Sequence, residues 1–254
     1  MSKIKKPTRL EDSRKVLEYI YSKIPETEGC IKNLKLAPSE GGCGAWCCQS
    51  QNPQVLYVEF RNTWDFIKNN WSDEDVVELV EACFNAYLFE EHRQGCVFWD
   101  SETKLCGQHE TRPFNCRIYG ITPEEEWKPR YERLKVIYPN TKDQCGLVST
   151  VGDKKFTKKN LDSVWSLIRN SEKSLGIKDE DIHDGFGGSY RHYYEHVLIH
   201  LIGDEGMEAI SEMREHGNKK QKQSIIKQSI EGLRKFQGEP NESKDIGSEV
   251  SGKE

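Results

Sequence analysis

The chain has 254 residues, enough for one large domain or two small ones with a real core, so size forces neither metals nor disulfides on it. Its 37 Lys and Arg against 42 Asp and Glu leave a formal charge of −5, which excludes a global basic field that would hold nucleic acid by counterion release. Hydrophobic residues make up 35% and charged residues 31%, a balance suited to a soluble protein with mobile ends.

The opening stretch "MSKIKKPTRLEDSRK" is basic but has no apolar segment after it, so it is not expected to be a secretory signal, and no apolar run approaches bilayer length. A cytoplasmic protein without a membrane partner is the expectation. Within 8–24, Leu10, Val16, Leu17, Ile20, Tyr21 and Ile24 recur at helical spacing and Pro25 closes the pattern, predicting a first helix. Residues 29–53 are dense in Gly, Ser, Pro and Cys and read as loop; "QVLYVEF", 54–60, reads as a short strand. "WSDEDVVELVEACFNAYLFEEHRQ" carries the clearest helix signal, with Ser72 as N-cap, Asp75 three residues on, and Val76, Val77, Val80, Cys83, Phe84, Tyr87 and Leu88 on one face.

"GCVFWDSETKLCGQHETRPFNCRIYGITP" predicts a hairpin around the polar turn "DSETK", followed by a Pro-marked loop, and a second hairpin is expected through Gly152 and Asp153. Helical patterns then cover about 160–175, 189–215 and 219–236, before a polar end that is expected to be disordered. The predicted fold class is predominantly α with small β-hairpins: a cysteine-rich metal-binding domain over 1–150, a helical region over 151–237 and a tail over 238–254.

Nine cysteines, an odd number, cannot all pair within one chain, and in a reducing compartment metal ligation or redox chemistry is their leading use. Cys43, Cys47 and Cys48 lie in a glycine-rich loop, and Cys96, Cys106 and Cys116 follow at even intervals of nine intervening residues. Thiolates are soft donors for zinc or iron, and loop cysteines turn their sulfurs towards one point at little backbone cost. Cys30 and Cys145 are candidates to complete a second set, whereas Cys83, on the apolar face of its helix, reads as a small core residue. Arg112 and Arg117 flank Cys116 as candidate cofactor-binding residues, either lowering its pKa or donating to carbonyls of the cysteine loop.

The combination of "CGAWCC", "GCVFWDSETKLC" and "RPFNCRIY" resembles the YkgJ-type cysteine-cluster family, the zinc- or iron-chelating CxxCxxCC proteins. Arg112, Pro113, Cys116, Arg117 and Tyr119 match that family's R-P-x-x-C-R-x-Y element residue for residue, while "CGAWCC" carries one residue more than the common C-G-x-C-C spelling. Which of Cys47 and Cys48 ligates therefore stays open. The resemblance spans about residues 30–145, and the flagellin lysine methylases carry a related cysteine element. It implies an iron–sulfur cluster, of [4Fe–4S] type, that supports a redox, sulfur-transfer or cluster-activated enzymatic step on an unidentified protein or small-molecule substrate. The alternative is a zinc-stabilised interaction module. A methyltransferase-like enzyme is a third reading, although no glycine-rich nucleotide fingerprint follows a strand.

Two weaker signals lie further on. His192, His196 and His200 recur every four residues on a predicted helix, either a chelating stripe or the edge of its apolar face. "DIHDGFGGSY" is glycine-rich ahead of that helix but lacks a phosphate-loop lysine and reads as a connector.

Overall fold

The structure, a computed structural model, describes residues 10–28, 47–48, 52–89, 95–100, 102, 106–137, 148–183 and 188–238. Helix α1, Leu10–Tyr21, stops short of Pro25 and buries Leu17 and Ile20. The segment expected as a strand over 54–60 is extended only at β2, Gln54–Val55, and from Tyr57 it becomes α2, Tyr57–Asn70. The reason is not local. Glu172, far along the chain, accepts the N–H groups of Tyr57 at 2.9 Å and Val58 at 2.8 Å, and Glu59 accepts that of Leu56 at 3.3 Å. With its first amides satisfied the segment turns helical, despite β-branched and aromatic residues that favour strand.

Helix α3, Asp73–Leu88, begins at the expected cap: the Ser72 hydroxyl accepts from the Asp75 amide at 3.2 Å, and Asp75 accepts in return from the Ser72 amide at 3.2 Å. Where a Pro-marked loop was expected stand a 3₁₀ turn, His109–Thr111, and the short α4, Phe114–Ile118. Helix α5, Glu124–Ile137, has no counterpart in the sequence reading. Strands β1, Thr27–Glu28, and β3, Ser149–Thr150, pair antiparallel, so β3 does not fold back in a hairpin through Gly152 and Asp153; those residues form a 3₁₀ turn with Gly152 at φ 69°.

Helix α6, Lys158–Ser174, is capped by Thr157, whose hydroxyl accepts from the Asn160 amide at 3.3 Å. Strand β4, Arg191–His192, pairs antiparallel with β2 and leads into α7, Tyr193–His216, which breaks stride at Gly203 (φ 68°). Helix α8, Lys219–Gly238, completes the described chain. The class is thus predominantly α, with two two-stranded antiparallel sheets among the described residues, each joining segments distant in sequence. No described helix is long and apolar enough to cross a membrane.

Two apolar clusters form the interior. One gathers Phe60, Trp64, Val80, Phe84, Tyr193 and Val197 from α2, α3 and α7, with Ile226 and Ile230 of α8. The other packs Leu17 and Ile20 against Val58, Phe114, Val164 and Ile168. Helix α2 serves both, with Phe60 and Ile67 in the first cluster and Val58 in the second.

Burial raises the Glu172 carboxyl to about 7 against the backbone amides that favour its ionised form. A carboxyl whose folded pKa is raised contributes stability while protonated, and that contribution is lost as pH rises from 4.5 through about 7. Urea denaturation of wild type and Glu172→Gln across this range is expected to show the wild type declining by roughly 3 kcal/mol relative to the variant. Parallel pH slopes would refute the assignment.

Candidate metal centre

Cys116 owes its place to Glu59. At the third position of α2, Glu59 accepts the Phe114 amide and the Tyr21 hydroxyl, both at 2.6 Å, and so fixes the first turn of α4, on which Cys116 sits. Asn115 donates to the Gln54 carbonyl at 2.9 Å and the Tyr190 hydroxyl at 2.8 Å, and Thr63 to the Thr111 carbonyl at 3.1 Å. Both arginines act on the same loop. Arg117 lies 4.3 Å from the Tyr21 ring centre and donates to the carbonyls of Arg112 at 2.6 Å and Glu110 at 2.8 Å, while Arg112 donates to the His109 carbonyl at 3.2 Å.

The other cysteines arrive from two further segments. Cys47 and Cys48 share a helical turn with their sulfurs 3.9 Å apart. The Cys48 carbonyl accepts the Cys96 amide at 2.5 Å, and Asn52 Oδ1 accepts that of Val97 at 3.2 Å. Cys106 closes an antiparallel bridge with Trp99, backed by the Gly107 amide donating to the Phe98 carbonyl at 2.9 Å. The expected hairpin is therefore, among the described residues, a single bridge.

The thiols feel one another. Hydrogen bonding from Cys48 lowers Cys47 to about 7, helped by the Arg112 charge, while the same bond and burial drive Cys48 strongly upward. Burial pushes Cys96 up to about 12, with Cys106 and Cys47 adding to it. Cys116 is held well above the ordinary range by burial first, then by Cys96, Cys106 and Cys47, with Arg112 opposing. Three chain segments thus place Cys47, Cys48, Cys96, Cys106 and Cys116, together with Arg112, in one electrostatic neighbourhood. A cation there would stabilise the thiolate form that burial disfavours at Cys96 and Cys116.

Among the described residues no three His, Cys, Asp or Glu side chains meet the geometry of a metal-ion site. Cys30, Cys43 and Cys145 lie outside the described residues. The donor chemistry fits a soft metal: none of the six described cysteines is in a disulfide, and no carboxylate figures in the shifts of Cys47, Cys48, Cys96 and Cys116. Cys83 packs in the α3 core at 0% exposure.

The expected stripe is split, with His192 in β4 and only His196 and His200 on α7. His192 Nδ1 lies 3.0 Å from the Asn52 carbonyl and His196 Nε2 lies 3.1 Å from that of Val55, while His200 packs against Phe60 and Trp64. Burial lowers His196 to about 4, so its ring is neutral. The sequence reading passed over two residues of the cysteine loop: Gln108, 1% exposed, whose Oε1 is buried without a partner, and His109, whose Nε2 is likewise buried and unmatched. Burial, with Arg112 and Arg117 adding, lowers His109 to about 4 and keeps its ring neutral. The spacing Cys106-x-x-His109 was the available signal.

Residues 40–159 match the model of the CxxCxxCC family, described as "Putative zinc- or iron-chelating domain". No curated protein matches the chain, and no solved structure does.

Gly107 is where the cysteine loop meets the α2–α3 corner: a Cβ built there would stand 2.9 Å from Cζ2 of Trp71, whose ring already packs edge-on against Phe98. Gly107→Ala is expected to lower stability by about 1–3 kcal/mol through overpacking. Gly232→Ala, inside α8 with nothing within 4 Å, is expected to be neutral or stabilising by about 0.5–1 kcal/mol. Thermal denaturation of both variants checks the opposite signs.

Proposed function

We propose that the CxxCxxCC domain of residues 40–159 holds an iron–sulfur cluster, of [4Fe–4S] type, through thiols drawn from Cys43, the Cys47–Cys48 pair, Cys96, Cys106 and Cys116. The observation that carries this reading is the number of thiols sharing one neighbourhood. Five are described, enough to supply the four thiolates of a [4Fe–4S] cluster and leave one sulfur over. Cys30 and Cys145 are the candidates for a second set.

A cluster, when bound, supplies one-electron chemistry or a Lewis-acidic iron at a position left open. The chain's own residues do the rest. Burial keeps water from Cys96 and raises its affinity for its proton, so a cation must displace that proton on binding. Arg112 offsets part of the negative charge near Cys47 and Cys116, and Arg117 braces the loop that carries them. Within the adjacent pair one sulfur ligates and the other is the reactive thiol of a sulfur-transfer or redox step. Cys47, with its pKa lowered to about 7, is the better nucleophile of the two.

Zinc is the second reading, favoured by the buried, unmatched nitrogen of His109, because structural zinc sites accept mixed cysteine and histidine donors. In that case the metal organises loops and the helices over 158–238 carry partner binding.

The test is anaerobic purification with iron, acid-labile sulfide and zinc measured on one sample beside its visible spectrum. Iron with matching sulfide, and a visible absorption lost in Cys43→Ser, Cys96→Ser or Cys116→Ser but kept in Cys83→Ala, is the expected result. Zinc without sulfide would replace the cluster reading with the second one, and a sample holding neither metal would overturn both.

A further inference from the structure

We infer that His109 is a nitrogen donor to the metal held by the cysteine loop, binding through Nε2, so that the centre has mixed sulfur and nitrogen ligation. The inference rests on reading the thiols as a metal centre, and it adds a ligand that the cysteine pattern does not contain.

Three observations converge on this ring. His109 follows Cys106 at a spacing of three, and its amide donates to the Cys106 carbonyl at 3.1 Å, so one tight turn carries both side chains. Its Nε2 is shut off from water and has no hydrogen-bond partner among the described residues. An imidazole nitrogen left in that state is destabilising, and coordination would offset that. Finally, the His109 carbonyl receives the Arg112 side chain, and the Arg112 charge acts on both Cys47 and Cys116, thiols of two other segments. The turn is therefore tied by a hydrogen bond to the arginine whose charge reaches Cys47 and Cys116.

The remaining histidines sharpen the contrast. His192 and His196 each face a backbone carbonyl, and His200 lies between aromatic rings. Among the described residues His109 is the one histidine with a buried ring nitrogen that nothing matches. Gln108 beside it also buries an unmatched Oε1, so two polar atoms of this turn lack a protein partner. A loop that served only as a connector would leave such atoms in water.

The test uses the full chain, stripped of metal, loaded anaerobically with zinc alone, and read by X-ray absorption at the zinc edge. Wild type is expected to show a sulfur shell near ~2.3 Å together with an imidazole shell near ~2.0–2.1 Å. In His109→Ala the imidazole shell is expected to vanish, and zinc affinity, measured against a chromophoric chelator, to fall at least about tenfold. The wild-type spectrum needs no variant to fold. A sulfur-only shell in wild type would overturn the inference and leave the thiolate centre standing. A wild-type chain that takes up no zinc and, in the purified sample, holds no iron would overturn the centre itself.

Discussion

Two carboxylates at the start of α2 hold the described structure together. Glu172 reaches from α6 to the first amides of α2, and Glu59, one turn in, ties Leu56, Tyr21 and Phe114 to one side chain. Burial raises both groups above the ordinary carboxylate range. Placing two acids at a helix N-terminus is favourable through the exposed amides there, and placing them out of water is not. The balance is struck because each oxygen has a donor: three backbone amides of α2's approach and first turn, one of α4, and a tyrosine hydroxyl. Loss of either acid would leave buried donors unmatched in elements that belong to both apolar clusters.

The cysteine centre inherits its geometry from that junction. Cys116 rides on the helix whose first amide Glu59 accepts, and the loop before it is stitched by Arg112 and Arg117 to its own carbonyls. Cys96 and Cys48 are joined main chain to main chain, and Cys106 is placed by its bridge to Trp99. None of these ties uses a sulfur. The backbone is thus arranged around the thiols by ordinary hydrogen bonds.

Much of the helical half was readable from local chemistry. Ser72 with Asp75 and Thr157 with Asn160 announce α3 and α6, and apolar spacing alone finds α7 and α8. Helix α2 was misread because its start is capped by a residue 115 positions away, while Val55, Tyr57, Val58 and Phe60 carry strand propensity. The β3 partner was missed for the same kind of reason: Thr27 and Glu28 lie more than a hundred residues before it, and glycine at 152 suggests a turn whichever strand follows. The thiols were easy to find and hard to group, since spacing within 96–116 says nothing of where Cys47 and Cys48 dock. His109 was overlooked because its distinguishing feature is an unmatched nitrogen, which exists only once the loop is folded.

The β2–β4 pairing sets an order of events in biosynthesis. Asn52, which receives the amide beside Cys96, is itself held by His192, and the Tyr193 amide donates to the Pro53 carbonyl at 3.2 Å. A ribosome releases all nine cysteines by residue 145, before residues 191–193 exist to close this long loop. During that interval the cysteine segments lack the clamp that joins them to the helical half. If the thiols hold a metal as proposed, metal reaching the nascent chain would meet them before α7 forms.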